Sequence, residues 1–160
     1  MVPLFQVRTL KPGEFKDAWP LVSLAHPAVT RMRWNAFARR VAADRKSAGM
    51  FAVEDLRRFI HALAVYRVTD DVEKGRILLI QPVICARLPG RDLDDVLADG
   101  LRDLAHTLGC DGVVVETPFT GDTIRDTAKA LLERGFVTHA VATFAPSVAS
   151  TPSPGRTGGR

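Results

Sequence analysis

The sequence predicts an α/β protein with a central, twisted, mixed sheet of about six to seven strands and helices on both faces. Two observations lead to this fold class. Segments that alternate apolar and polar residues, typical of strands, are interspersed with segments of helical periodicity. Their order is strand, two helices, three strands, helix, strand, helix, strand, which favours an antiparallel meander followed by parallel strands with helical crossovers.

The first half of the chain supplies the meander. Pro27 ends the first helix because proline disfavours a helical conformation in the residue before it. Gly49 marks the end of the second helix, and charged turns separate the strands that follow. The predicted elements are a strand at residues 4–10, helices at 14–25 and 31–48, and strands at 50–53, 59–68 and 76–85.

The second half contains the most regular amphipathic helix, at residues 93–108. Its leucines, valine and alanine recur at helical spacing, and Asp92 and Asp95 occupy the N-cap and N3 positions. A strand at 112–116, a helix at 121–135 and a strand at 136–144 complete the prediction. We therefore expect a folded domain at residues 1–145 and a flexible Ser/Pro/Gly tail at residues 146–160.

Composition narrows the class of protein. The chain has 160 residues, 46% of them apolar and 25% charged, which is typical of one soluble globular domain and excludes collagen-like and disulfide-scaffold folds. It contains no apolar segment of bilayer length and no signal peptide, so we expect a cytoplasmic protein that does not bind membranes. Two cysteines without a CxxC motif and four dispersed histidines predict no metal site.

Charge is unevenly distributed along the chain. Residues 31–58 contain eight basic and three acidic residues, whereas residues 92–111 contain six aspartates and one arginine. A basic segment of this size attracts anionic partners, and a nucleic acid or an anionic surface is one hypothesis. A solvated helix face explains the same pattern, and no aromatic residues are interleaved to support nucleic-acid binding. We therefore expect no nucleic-acid partner.

Three local motifs add to the order of elements. Gln81-Pro82 lies within the long central strand, residues 87–92 (Arg-Leu-Pro-Gly-Arg-Asp) precede the long helix, and Gly135-Phe136 enters the last strand. Over residues 4–144 the chain resembles the GNAT superfamily of N-acetyltransferases. The resemblance implies an acyl-CoA-dependent N-acetyltransferase that uses acetyl-CoA, without a metal, on a small-molecule or peptide amine. It also implies that a homodimer is one arrangement to expect.

The segment before the long helix has a physical reason to bind phosphate. A glycine-containing turn at a helix N-terminus offers backbone N–H groups and the positive end of the helix dipole, and arginines add charge-assisted bonds. By resemblance, backbone groups of the preceding strand line the cleft for the pantetheine arm. The implied cofactor-binding residues are Val83, Ile84, Cys85, Arg87, Leu88, Gly90, Arg91 and Asp92.

The sequence departs from the family pattern at Asp92, where Gly or Ala is usual, at Pro89, which lacks an N–H, and at Leu131, where a catalytic tyrosine is usual. A catalytically degenerate GNAT-like fold that binds a ligand or a partner is therefore the alternative function.

Candidate catalytic residues come from the predicted strands. A carboxylate on a central strand is a common general base, and Glu116 at the end of the three-valine strand is the candidate of this type. Tyr66, the only tyrosine of the chain, is the second candidate, and His61 is a further one. A solvated carboxylate, a packed tyrosine and a partly buried histidine are the corresponding structural interpretations.

Overall fold

A computed structural model describes residues 3–86, 93–118, 133 and 137–141. These residues form one six-stranded sheet in which the strands follow each other in chain order. The strands are β1 (Phe5–Thr9), β2 (Ala48–Asp55), β3 (Ile60–Asp71), β4 (Gly75–Cys85), β5 (Gly112–Pro118) and β6 (Val137–Val141). The helices are a 3₁₀ helix (Pro12–Ala18), α1 (Trp19–Ala25), α2 (Arg31–Ala43) and α3 (Leu93–Thr107).

The predicted fold class is confirmed. β1 to β4 pair antiparallel, and β4–β5 and β5–β6 pair parallel, as the short turns and the helical crossover predict. The helix predicted at residues 121–135, apart from residue 133, and the tail predicted at 146–160 lie outside the described residues. None of the helices in the described part of the chain is long and apolar enough to span a membrane.

Two predicted helices differ from the structure. The helix predicted at residues 31–48 ends at Ala43 because Asp44 leaves the helical conformation, and its carboxylate accepts a hydrogen bond from the Arg67 guanidinium at 2.7 Å. Residues 45–47 form a turn, and β2 begins at Ala48, which pairs with Arg67. The helix predicted at residues 14–25 is divided into the 3₁₀ helix and α1, with Pro20 in the first turn of α1.

Each face of the sheet has its own apolar core. On one face α1, α2 and the 3₁₀ helix cover Met50 and Leu63 of the central strands, and Trp34 of α2 is buried among them. On the other face α3 covers Phe51 and Leu78. The alternation of side chains along each strand produces this division, and it places helices on both faces as predicted.

Candidate functional site

The strands β4 and β5 diverge within the sheet. Their parallel pairing runs from Ile77 with Gly112 to Ile80 with Val115 and ends there. Beyond this point β4 continues beside β3 as far as Cys85, while β5 continues beside β6 from Glu116. The two strands therefore leave an opening between them, which we call the fork.

A bulge in β4 accompanies the divergence. Between the pairs Ala64–Val83 and Tyr66–Ile80, one residue of β3 lies opposite two residues of β4, Gln81 and Pro82. The Gln81–Pro82 peptide bond is cis. Bulges redirect a strand and its side chains, and proline lacks the N–H that a continuous ladder would use. The Gln81-Pro82 motif noted in the sequence thus marks the start of the fork.

Hydrogen bonding to β3 determines which β4 residues face the fork. The Ala86 N–H donates to the His61 carbonyl at 2.7 Å. The direction of the backbone N–H and C=O groups alternates along an antiparallel strand. The backbone groups of Ile84 therefore also point to β3, whereas those of Val83 and Cys85 point towards β5. Ile84 in addition buries its side chain in the core on the α1–α2 face. The fork is therefore lined by the backbone of Val83 and Cys85, and the prediction for Ile84 does not match this geometry.

Glu116 lies at the base of the fork. It is the first β5 residue beyond the last pair with β4, and it is half-buried. Val115 packs into the core on the α3 face, so alternation directs the Glu116 side chain to the opposite face, on which α1 and α2 lie. The carboxylate that the sequence identifies as a candidate base is thus at the point where the two strands separate.

The overall fold of the chain is similar to that of several solved structures. An aminoglycoside N-acetyltransferase in complex with CoA has a TM-score of 0.69 at 13% identity, covering 92% of this chain and 99% of that chain. A ribosomal-protein-alanine N-acetyltransferase from Brucella melitensis biovar Abortus 2308 has a TM-score of 0.64 at 14% identity, covering 89% and 97% of the two chains. Glucosamine-6-phosphate N-acetyltransferase from Arabidopsis thaliana has a TM-score of 0.62 at 14% identity, covering 91% and 99%.

The chain has the GNAT fold. No protein-family model matches the sequence, and no curated protein is similar enough in sequence to count as a match. The order of elements therefore identifies the GNAT fold where sequence identity does not.

Tyr66 does not face the fork. Its ring lies across Gly49 of β2, close enough that a Cβ on Gly49 would overlap the ring. The hydroxyl hydrogen-bonds to Thr9 of β1, on the opposite side of β3 from β4 and β5. Burial raises the pKa of Tyr66, and the bond to Thr9 opposes that rise. The Tyr66 side chain thus packs against β1 and β2, and this geometry does not support its predicted catalytic role.

A histidine–aspartate pair lies where β3 begins. His61 Nε2 is 3.0 Å from Asp55 Oδ2, and the Phe5 ring stands edge-on to the imidazole with centroids 5.7 Å apart. The bond to His61 lowers the pKa of Asp55, and backbone N–H groups of Phe59 and Arg57 add to the effect. The sequence identifies His61 alone. Only the register of the hairpin between β2 and β3 could have indicated its partner.

The predicted phosphate-binding residues Arg87, Leu88, Gly90, Arg91 and Asp92 lie outside the described residues, as does Leu131. Ala86 and Leu93 are the described residues on either side of that segment. Within the described residues, no three side chains of the His, Cys, Asp and Glu types lie together in a way that could hold a metal ion.

Proposed function

We propose that the protein is an acyl-CoA-dependent N-acyltransferase that uses acetyl-CoA and a small-molecule or peptide amine. The divergence of β4 from β5 carries this proposal, because it leaves backbone groups of a central strand without a neighbouring strand. The names of the similar structures support it: their acceptors are an aminoglycoside, a ribosomal-protein alanine and glucosamine 6-phosphate, and one holds CoA.

In this proposal the thioester lies in the fork, and the Val83 N–H donates a hydrogen bond to its carbonyl oxygen. A fixed donor at this oxygen stabilises the negative charge that develops when an amine attacks the carbonyl carbon. The C–N bond forms, the C–S bond breaks, and sulfur leaves as the CoA thiolate. Cys85 lines the fork further along β4, and its backbone is proposed to contact the pantetheine arm.

Glu116 is proposed as the general base, which takes the amine proton directly or through a water molecule. Its position at the base of the fork supports this role. The chain has one tyrosine, and the hydroxyl of Tyr66 is directed to Thr9, so we assign no tyrosine as acid and propose that the thiolate is protonated by solvent. Holding amine and thioester together supplies a large part of the rate in such a reaction.

The segment at residues 87–92 is proposed to bind the diphosphate of CoA. Backbone N–H groups of Leu88, Gly90 and Asp92 and the guanidinium groups of Arg87 and Arg91 are the proposed donors. The start of α3 at Leu93 supports this proposal, because a helix N-terminus favours anions. Asp94 and Asp95 in the first turn of α3 oppose it by their charge, so the arginines carry more of the expected affinity.

Calorimetric titration with acetyl-CoA tests the proposal. Wild-type protein and Val83→Ala, which keeps the backbone donor, are expected to bind with similar affinity. Val83→Pro removes the donor without removing a hydrogen bond to β3, and it is expected to bind or react more weakly. Unfolding midpoints of both variants separate loss of binding from loss of fold. Absence of binding by wild-type protein would overturn the proposal.

A second candidate function is ligand binding without turnover. The absence of a tyrosine hydroxyl from the described part of the fork favours it, and so does Leu131 at the usual tyrosine position. It predicts saturable CoA binding with no acetyl transfer to any amine in a broad acceptor screen. A homodimer, also expected, is tested by light scattering at the concentration used for the titration.

A further inference from the structure

The tip of the hairpin that joins β2 to β3, at residues 55–59, is held by several hydrogen bonds of Asp55. Asp55 Oδ1 accepts hydrogen bonds from the backbone N–H groups of Arg57 at 2.8 Å and Phe59 at 3.1 Å. The Asp55 backbone N–H donates to the Phe59 carbonyl, and the Asp55 carbonyl accepts from Arg58. With its second oxygen 3.0 Å from His61, Asp55 uses both carboxylate oxygens to hold the tip in one conformation.

Arg58 shows that the tip is held against a conformational cost. Its φ is +67°, in the left-handed region that residues other than glycine rarely adopt. Its guanidinium lies 3.5 Å from Glu54 and 3.6 Å from Glu14. Glu54 is only 3% exposed and is bonded by the Arg8 guanidinium at 2.7 Å. These contacts anchor the tip to β1 and to the 3₁₀ helix, so the tip is preorganised.

The side chains that the tip presents to solvent are apolar and cationic. Phe59 is 63% exposed and Leu56 is 57% exposed, although both are large hydrophobic residues. Leu4 is 60% exposed and precedes Phe5, which pairs with Asp55, so the register directs it towards Leu56. Arg57 is exposed, and the structure gives it no acidic partner among the residues that it describes. The surface combines an aromatic face with an arginine available to an anion.

This surface lies at the same end of the sheet as the outer end of the fork, on the strand that neighbours β4. Ala86, the last described residue after β4, bonds to His61, and Phe59 lies two residues before His61 on the same hairpin. Val83, the proposed donor to the thioester, pairs with Ala64 of β3. Phe59 precedes Ala64 by five residues, which corresponds to about 17 Å along the strand direction. An extended pantetheine arm with its diphosphate covers a separation of this size.

We propose that the β2–β3 tip binds the 3′-phosphoadenosine end of acyl-CoA, with Phe59 stacked on adenine and Arg57 paired with a phosphate. The proposal rests on the proposed function, because it requires a CoA thioester in the fork. Stacking of a base on an exposed aromatic ring is favourable and does not need hydrogen-bond readout. The positive charge of Arg57 complements the 3′-phosphate, and the fixed backbone means that little conformational freedom is lost on binding.

Titrations with three ligands test the proposal on the full chain: acetyl-CoA, acetyl-3′-dephospho-CoA and S-acetylpantetheine. For wild-type protein we expect acetyl-CoA to bind most tightly. Phe59→Leu is expected to weaken the binding of acetyl-CoA about ten-fold and to leave the affinity for S-acetylpantetheine unchanged. Arg57→Gln is expected to weaken acetyl-CoA several-fold and to remove its advantage over the dephospho ligand. Arg33→Gln, an exposed arginine on α2, is the matched control and is expected to change nothing.

The outcomes are distinguishable from failure of the proposed function. If wild-type protein binds none of the three ligands, the proposed function fails and this proposal with it. If wild-type protein binds acetyl-CoA and both variants bind it equally well, the proposed function survives and the tip is not a nucleotide site. If Phe59→Leu instead changes the molecular mass measured by light scattering, the tip contacts a second copy of the chain, which also overturns the proposal.

Discussion

The two halves of the sheet differ in how completely they are paired. From β1 to β4 the antiparallel ladder extends along the strands with local bulges, and the central residues of β2, β3 and β4 are mostly buried. From β4 to β5 the parallel ladder stops after Ile80 and Val115. The antiparallel half therefore acts as a scaffold, and the parallel half opens at its centre to expose backbone groups that can recognise a ligand. The difference predicts that substitutions in the antiparallel half will mainly lower stability, whereas substitutions at the fork will mainly lower activity.

The largest effect on activity is expected at the base of the fork. Glu116→Gln removes the proposed base and should lower kcat by about 10²- to 10⁴-fold with the acceptor amine, because general base catalysis contributes that much. The affinity for acetyl-CoA should stay close to that of wild type. Steady-state kinetics with titration of each variant measures both. Glu73→Gln, an exposed glutamate in the turn between β3 and β4, is the control. Unchanged kcat in Glu116→Gln would remove Glu116 from the mechanism.

The largest effect on stability is expected in the antiparallel half. Leu63 is fully buried at the centre of β3, so Leu63→Ala should lower the free energy of unfolding by about 2–5 kcal/mol. Val83→Ala at the fork removes a half-buried side chain and should cost clearly less. Denaturant unfolding at one pH compares the two. Equal losses would mean that the fork is packed as tightly as the scaffold, and the contrast between the two halves would fail.

A smaller loss of stability is expected at the contact of α3 with the sheet. A Cβ on Gly100 would lie 2.6 Å from the Phe51 ring and 3.2 Å from Val7, so α3 approaches β1 and β2 closely only because this residue is glycine. Gly100→Ala should therefore cost about 1–3 kcal/mol through overpacking, although alanine favours helices. Gly13→Ala, where a Cβ meets nothing within 4 Å, is the matched control. A more stable Gly100→Ala variant would contradict this packing.

The smallest effect is expected in the pH dependence of the stability of the antiparallel half. A hydrogen bond from Arg8, with one from the Lys11 backbone, lowers the pKa of Glu14 from 4.5 to about 2. A carboxyl group with a lowered pKa in the folded state stabilises the fold above its unfolded pKa, and this stability is lost as pH falls from about 4.5 to about 2. The free energy of unfolding, measured across that pH range, should depend less steeply on pH for Glu14→Gln than for wild type or Glu73→Gln. Identical slopes would exclude this contribution.

Most of the fold could be predicted from the sequence because it depends on local patterns. The periodicity of α3 and the apolar runs in β2, β3 and β4 follow burial in the two cores, so the spacing of apolar residues indicates these elements directly. The end of α2 could not be predicted in this way: Asp44 leaves the helical conformation, and residues 45–47 form a turn against β3, where the Val68 N–H donates to the Ser47 carbonyl. The 3₁₀ helix also makes a contact that its own sequence does not indicate, since Arg8 of β1 bonds to its Glu14.

The site could be predicted only in part. Pro82 and Val83 mark the fork in the sequence because proline and a bulge have local signatures. The direction of a side chain across the sheet has no such signature, so the sequence predicts Tyr66 as a catalytic residue although its hydroxyl is bonded to Thr9. The pair formed by His61 and Asp55 also depends on hairpin register, which periodicity does not determine to within one residue.

The central claim is that the fork between β4 and β5 binds acyl-CoA, and amide hydrogen exchange with and without acetyl-CoA tests it most directly. We expect slower exchange at the amides of Val83 and Cys85 in β4 and at residues 116–117 of β5, with no change in β1 or in residues 48–53 of β2. Binding that leaves exchange at the fork unchanged and slows it instead in the antiparallel half would contradict this claim.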